Sequence, residues 1–465
     1  MSKTNCISRR SFLRTGAVLT ASSAFPFLRV AGQVSPNEKV NVACCGIGNR
    51  GADVVNGLFG TGLCNIVAVC DTDLGAKHTQ NILKKFPNAK RYKDFRKMLD
   101  EMGNQIDAVT AGVPDHAHFP IAMMAMGMGK GIYVEKPMAH TFQECALMMA
   151  AEAKNKVATQ MGNQGHSEGN YFQFKTLVEQ GVIKDVTKIV AHMNGVRRWH
   201  KWNGNVTSLR PKQDLPEGLE WDVWLSQAQW HDYHRDYVHG DWRCWYDFGN
   251  GALGDWGAHI IDTAHEFLQL GLPYEVDVLK MTGHTDFVFP MTCTLAFRFS
   301  ARGNMPACEV QWWEGQKNFP ELPKNFGKSK AAADIPTVGG GATAVADLNP
   351  GKEIYQKDGT IFKGASHGST LSVVGGGREL PKFPKSPSNH FKNFLLGVKG
   401  QETCRSRFAV AGTLSQVLTL GCIAQKLNRK ITLDTAKGVI TGDKVADAML
   451  KGPPPRKGWE QYYKV

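Results

Sequence analysis

At 465 residues the chain is longer than one hydrophobic core usually serves, so two domains are the default. With 42% apolar and 21% charged residues it has the composition of a globular protein, neither disordered nor a membrane bundle. The formal charge of +13 is not focused: Lys3, Arg9, Arg10, Arg14 and Arg29 lie in a leader without one acidic residue, and no dense Lys/Arg run follows, which argues against nucleic acid as a partner.

Residues 1–31 read as an export signal. Ser8-Arg9-Arg10-Ser11-Phe12-Leu13 precedes a modestly apolar run from Gly16 to Phe27 and small residues near Ala31-Gly32, too short for a membrane span. Paired arginines before Ser-Phe-Leu predict the twin-arginine route, so the translocase of that route is an expected partner. That route carries proteins already folded, often with a cofactor inserted. The mature protein is expected in the periplasm, without stable membrane insertion. Eleven cysteines form no scaffold pattern: Cys44, Cys45, Cys64 and Cys70 fall in or beside predicted buried strands, and without a C-x-x-C pair no metal is expected.

The apolar run Val40 to Cys45 leads directly into Gly46-Ile47-Gly48-Asn49-Arg50-Gly51 and a helical pattern through Leu58. Strand, glycine turn and helix are the context a dinucleotide fingerprint requires. Gly46, Gly48 and Gly51 let backbone approach a pyrophosphate, and the helix amino end, entered through Asn49 and Arg50, offers it unpaired N–H groups. A second apolar run, Ile66 to Cys70, ends in Asp71, 20 residues beyond Gly51. A carboxylate there accepts from ribose hydroxyls and repels a 2′-phosphate, which favours NAD over NADP. The chain then alternates: an amphipathic helix over Lys93 to Met102, a strand over Ala108 to Val113 ending in Pro114-Asp115-His116-Ala117-His118, and a helix to Met128. A strand over Ile132 to Val134, a helix over Thr141 to Ala153 and a strand over Val157 to Met161 complete it. This predicts a doubly wound parallel sheet, a Rossmann domain over 38–163. Glu135-Lys136-Pro137 stands at the carboxyl end of one of its strands, where open α/β sheets hold ligands, so Lys136 is placed to touch both cofactor and substrate.

Residues 164–462 read as an α+β domain with a large, mainly antiparallel open sheet. Its densest signal runs from Asp241 through Trp242 and Arg243 to a glycine-rich turn and a helix on which Asp255 and His259 are four apart and share a face. An acid and an imidazole so spaced can act as orienter and base, because histidine titrates near neutrality. Asp262 is one turn further, and His265 is expected to face the core. Eight of the eleven tryptophans fall between Trp199 and Trp256, rings that suit sugar faces and a core equally well. The spacing of His231, His234 and His239 matches no metal site. Segments Thr292 to Phe299 and Ala307 to Trp313 read as strands, Ala331 to Asn349 as a loop, and Thr360 to Val374 as short strands. Helices run through Val398 and over Phe408 to Leu427.

The order G-I-G-N-R-G, A-V-C-D, V-P-D-H-A-H, Y-V-E-K-P and T-Q-M-G-N-Q resembles the glucose-fructose oxidoreductase, inositol dehydrogenase and rhizopine catabolism (Gfo/Idh/MocA) superfamily, over roughly residues 38 to 462. The resemblance implies that Lys136, beside Glu135, hydrogen-bonds the reacting hydroxyl and steadies its alkoxide. Pro114 and His118 would line the nicotinamide side, Asn163 or Gln164 would contact its ribose or amide, and Arg243 would lie near it. Asp255 and His259 look like the family's catalytic pair, with Trp242 beside them in the substrate pocket. The implied activity is hydride transfer between NAD(P) and a hydroxyl carbon of a sugar, polyol or glycoside. Export adds that the nucleotide would stay tightly bound and be restored in each cycle. Two closed cycles do this: coupled oxidation and reduction of two sugars, or transient oxidation of a glycoside with elimination of its aglycone. Family glycosidases of the second kind often lack the lysine that this chain keeps, so dehydrogenation leads. A non-catalytic nucleotide or sugar sensor would have lost Lys136, Asp255 and His259. The resemblance also implies that the second-domain sheet pairs into a homodimer or homotetramer.

Overall fold

The computed structural model describes residues 38–193, 206–315, 318–327 and 349–464. The leader, Trp199, Trp202 and most of the 331–349 stretch lie outside the described residues.

The first layer is a six-stranded sheet of β1 (Val40–Cys45), β2 (Cys64–Cys70), β3 (Lys90–Tyr92), β4 (Ala108–Ala111), β5 (Gly131–Val134) and β6 (Thr159–Met161), ordered β3-β2-β1-β4-β5-β6 and parallel throughout. Strands covered on both faces must be apolar along their length, and every residue of β4 and β5 is buried. Strand order reverses between β1 and β4, the switch point beyond whose carboxyl ends such sheets bind ligands. Helix α1 (Arg50–Gly60) starts there.

The second layer is a nine-stranded sheet ordered β13-β12-β11-β7-β10-β9-β8-β14-β15. Its centre is β7 (Val186–Met193), β8 (Glu275–Thr282), β9 (Thr292–Phe299), β10 (Cys308–Gly315) and β11 (Gly351–Gln356), flanked by β12 (Ile361–Ala365), β13 (Ser372–Val373), β14 (Ile431–Asp434) and β15 (Val439–Thr441). Only β7 and β10 pair in parallel; the other pairs are antiparallel. The apolar helix Phe408–Leu427 is buried beside it, its Gly421 tight against Leu253 and Phe297.

Two late segments return to the first layer. Helix His390–Val398 lays Phe391 against Gly57 of α1 and Phe394 against Tyr133 of β5, and the turn Trp459–Tyr463 packs its rings on Phe95 and Phe119. An aromatic cluster built from Trp221, Trp224, Tyr237, Trp242, Trp245 and Phe248 forms a third core. The ten cysteines among the described residues form no disulfide and are buried.

Four buried histidines set an acid limit on this packing. Burial pushes His116 and His390 down to about 3, and His118 and His265 down to about 4, from 6.5. Above pH 6.5 both folded and unfolded chains hold them neutral and their contribution is fully present. As pH falls below 6.5 the unfolded chain takes protons that the fold refuses, so stability is lost progressively toward pH 3 to 4. Calorimetric scans should therefore show Tm falling steeply between pH 6.5 and 4.5; a flat Tm across that interval would mean that these rings escape into water without unfolding.

Candidate active site

The glycine turn is built as the sequence predicts. Gly46 has φ of 73°, and a Cβ there would lie 2.5 Å from Gly112 O. A Cβ on Gly51 would lie 2.0 Å from Gly46 O, and one on Gly48 1.9 Å from His78. Asn49 also takes a left-handed φ of 44° as the chain enters α1. The Asp71 carboxylate closes the turn from the next strand, accepting from the Ile47 amide at 3.0 Å and the Asp73 amide at 3.1 Å. Burial raises its pKa and these two amides oppose the rise.

From this turn a cleft of about 340 Å³ runs between the layers, lined by Gly46, Gly48, Asn49, Arg50 and Asp71 at one end and by Trp242, Arg243, Asp255, Trp256 and His259 at the other. Pro114, Glu135, Lys136 and Gln164 line its middle. Glu135 Oε1 accepts from Arg50 Nε at 3.0 Å and Gln164 Nε2 at 3.2 Å, tying helix, strand end and following loop together. The Lys136 ammonium donates to Asp255 Oδ1, and Arg243 Nε lies 3.9 Å from the same oxygen while its guanidinium stacks 4.2 Å from the Trp242 ring centre.

Asp255 sits in a π-helical turn, Leu253–Gly257, not in the regular helix expected, and His259 follows in the next turn, Ala258–Ile260. Small residues permit the turn: a Cβ on Gly254 would meet Asn250 at 2.3 Å, and one on Gly257 would meet Leu418 at 2.7 Å. Such turns recur at functional sites. Lys136 takes one oxygen of the Asp255 carboxylate, and Asp255 acts on His259 through its charge. His259 keeps a buried Nδ1 without a hydrogen-bond partner, its ring stacked on His367. Burial, then His367 and Lys136, hold the His259 pKa well below the ordinary imidazole value, with Asp255 opposing. His259 thus stands on the cleft wall in surroundings that favour its neutral form.

Two sequence expectations are corrected. His118 does not line the cleft: it follows the 3-10 turn Asp115–Ala117 and its ring nitrogens lie 2.9 Å from Pro137 O and 3.0 Å from Val113 O. Asn163 is buried away from the cleft, accepting from Ser406 Oγ at 2.6 Å and donating to Asp262 Oδ1 at 2.9 Å; of the two adjacent amides Gln164 lines the cleft. Asp262 instead holds His166, whose Nδ1 lies 2.8 Å away. Burial opposes charge on His166, but Asp262 and Glu266 on either side outweigh it and raise the imidazole to about 10. His265 faces the core as expected, bonded to Gly271 O at 2.9 Å. Among the described residues no cluster of three or more metal-ligating side chains occurs.

Two cleft residues escaped the sequence reading. Asp115 accepts from the Asn250 amide at 2.9 Å, and burial raises it to about 7 against the pull of Arg243 and Lys136. Its signal lies inside V-P-D-H-A-H, three residues before His118. His367 arrives from the loop after β12 and has no local signature.

Residues 40–163 match a family model described as an oxidoreductase family with an NAD-binding Rossmann fold, and residues 169–299 match its C-terminal alpha/beta domain, together more than half of the chain. Inositol 2-dehydrogenase of Salmonella typhimurium is 32% identical over 142 residues, 30% of this chain and 41% of that protein. Glycosyl hydrolase family 109 protein 1 of Shewanella sp. (strain MR-4) is 29% identical over 243 residues, 43% of this chain and 52% of that protein. The chain thus spans about half or less of the curated relatives it matches. Aldose-aldose oxidoreductase from Caulobacter crescentus, solved with glycerol, shares the fold at 14% identity and a TM-score of 0.56, over 85% of this chain and all of that one.

Proposed function

We propose that this chain, which belongs to the Gfo/Idh/MocA oxidoreductase family, oxidises a hydroxyl carbon of a sugar, polyol or glycoside with a nicotinamide dinucleotide that it retains. The observation that carries the reading is the continuity of one cleft from the glycine turn and Asp71 to Lys136, Asp255 and His259. The turn fits the cofactor because it closes this tightly only with glycine: a Cβ at Gly46 or Gly51 would run into the backbone of Gly112 or Gly46, and one at Gly48 into His78, so the close turn leaves the amino end of α1 open to a pyrophosphate. Asp71, which opposes a 2′-phosphate by charge, supports NAD over NADP. When bound, NAD supplies the hydride acceptor.

The chain's own groups handle the proton and the charge. Lys136 donates to the substrate oxygen and steadies the alkoxide. His259, held neutral, takes the hydroxyl proton. Asp255 sets the lysine, and Arg243 and Trp242 flank it. Retention is supported by second-domain backbone folded over the Asp71 end. There the Glu220 amide donates to Thr72 O at 2.9 Å, and Lys93 Nζ donates to Gly218 O at 2.7 Å. Export by the twin-arginine route and a homodimeric or homotetrameric state belong to the same proposal, the first motivated by Arg9-Arg10 and the second by the open nine-stranded sheet. Likeness to the Shewanella glycosyl hydrolase over 43% of the chain supports a second reading, hydrolysis by transient oxidation and elimination.

Purified protein with no nucleotide added, mixed with a panel of free sugars, inositols and chromogenic glycosides, tests both readings. A burst of NADH absorbance without aglycone release supports the dehydrogenase, and repeated release without net NADH supports the closed cycle. Silence with every substrate, and no nucleotide freed on denaturation, would sink the proposal.

A further inference from the structure

His367 stands more than a hundred residues from the nearest cleft signature, yet its ring lies 4.1 Å from His259, centre to centre, with the planes 24° apart. Trp256 meets the same ring edge-on at 5.5 Å. The loop is built to place it. His367 has φ of 57°, a left-handed backbone that a residue with a Cβ seldom takes outside functional or tightly packed sites. The fully buried Ser366 sets its Oγ 2.8 Å from His367 Nδ1. Gly165 backs the loop so closely that a Cβ there would lie 2.8 Å from the His367 carbonyl carbon.

We infer that His367 is a second acid–base side chain of the cleft, acting on the C–H proton next to the carbon that is oxidised. The inference rests on the alcohol-oxidising reading of the site. Two imidazoles stacked this closely repel when both are charged, so the pair carries one proton at a time. A simple dehydrogenase needs one base. Once the substrate is a ketone, a pair with one proton can do more: His259, holding the hydroxyl proton, is an acid, and His367 is still a base. In a glycoside the two transfers are concerted: as His367 takes the proton from the carbon beside the carbonyl, whose oxygen Lys136 steadies, the C–H electron pair forms the new C=C bond, the bond to the anomeric oxygen breaks, and the departing oxygen takes the proton from His259, so the pair never holds two. The pair has gained one proton and lost one. Without a leaving group, the imidazole returns a proton to carbon, and the ketone exchanges hydrogen with water.

The test starts from ketones, so that hydride transfer is not needed. Nitrophenyl glucoside already oxidised at carbon three, and the ketone of myo-inositol, are incubated in deuterium oxide with the protein. Deuterium at the neighbouring carbon is followed by NMR, and nitrophenol by absorbance. We expect catalysed exchange on at least one ketone, reduced about 100-fold in His367→Asn and His367→Ala, with the imidazole limb of the pH profile lost. The NADH burst from unoxidised substrates should fall by a far smaller factor. Melting temperature and bound nucleotide identify any variant that has merely misfolded, and His367→Gln serves where Ala does. Equal losses in burst and exchange would overturn the inference, as would a wild-type protein that gives a burst but no exchange on either ketone. Absence of both burst and exchange would remove the alcohol-oxidising reading together with it.

Discussion

Replacing Lys136 with methionine is expected to lower kcat for substrate oxidation about 1000-fold, because one preorganised donor to a developing oxyanion accounts for a factor on the order of 100 to 1000. The side chain is 11% exposed and its ammonium is bonded to Asp255. The variant therefore loses more than catalysis. Asp255 would remain as a buried carboxylate with Arg243 at 3.9 Å, and breaking a buried pair from one side costs about 3–5 kcal/mol. The two effects separate in a double variant. Lys136→Met with Asp255→Asn removes the orphaned charge, so the lost melting temperature should return while kcat stays low. Stopped-flow NADH absorbance and calorimetry on the same samples make the comparison. A single variant within about tenfold of the parent would show that another group steadies the alkoxide.

The second large effect is expected at Gly51. Alanine there would force its Cβ to within 2.0 Å of Gly46 O, a backbone atom that cannot swing aside, and Gly46 sits in space so tight that a Cβ on it would lie 2.5 Å from Gly112 O. The turn must open, at a cost of about 1–3 kcal/mol for the overpacking alone. Opening it also scatters the amides that face the pyrophosphate. Nucleotide released on denaturation should drop at least about tenfold, in step with binding that depends on those amides. Gly60, at the far end of the same helix, is the control. Nothing lies within 4 Å of a Cβ there, so Gly60→Ala should keep the nucleotide and gain about 0.4–1 kcal/mol. Equal nucleotide content in both variants would mean that the glycine turn is not where the dinucleotide sits.

What could be read in the sequence was local. The glycine turn, Asp71 and Lys136 each lie within a few residues of a strand end, so the hydrophobic run that forms the strand also fixes where they point. Asp115 and His118, three residues apart, show the limit: a single 3-10 turn sets Asp115 on the cleft and His118 off it, and no sequence pattern reveals which. Asn163 and Gln164 differ by one position, and the partners that pull Asn163 inward, Ser406 and Asp262, come from distant parts of the chain. Strand β11 carries no periodic signal because its Lys352 and Glu353 break the apolar pattern, yet both are buried. Glu353 lies 3.0 Å from His192, and Asp262 offsets the burial that pulls Lys352 down to about 8. Such strands are invisible to periodicity because their polar groups are satisfied by pairing rather than by solvent. His367 belongs to the same class, placed by the loop after β12.

The return of helix His390–Val398 and the turn Trp459–Tyr463 to the first layer bears on how the protein comes into being. Gln160 donates to His390 O across 230 residues, and Tyr462 reaches Met124 across 338. A ribosome that has made residues 38–163 has made the nucleotide fingerprint but not the chain that walls it. Phe391 and Phe394 are still unsynthesised when Gly57 and Tyr133 emerge, and contacts of such sequence separation form late. Nucleotide binding is therefore expected of the finished chain rather than of its first third. A fragment ending at residue 163 should aggregate through that uncovered face, and chains stalled before the last helices should be found empty.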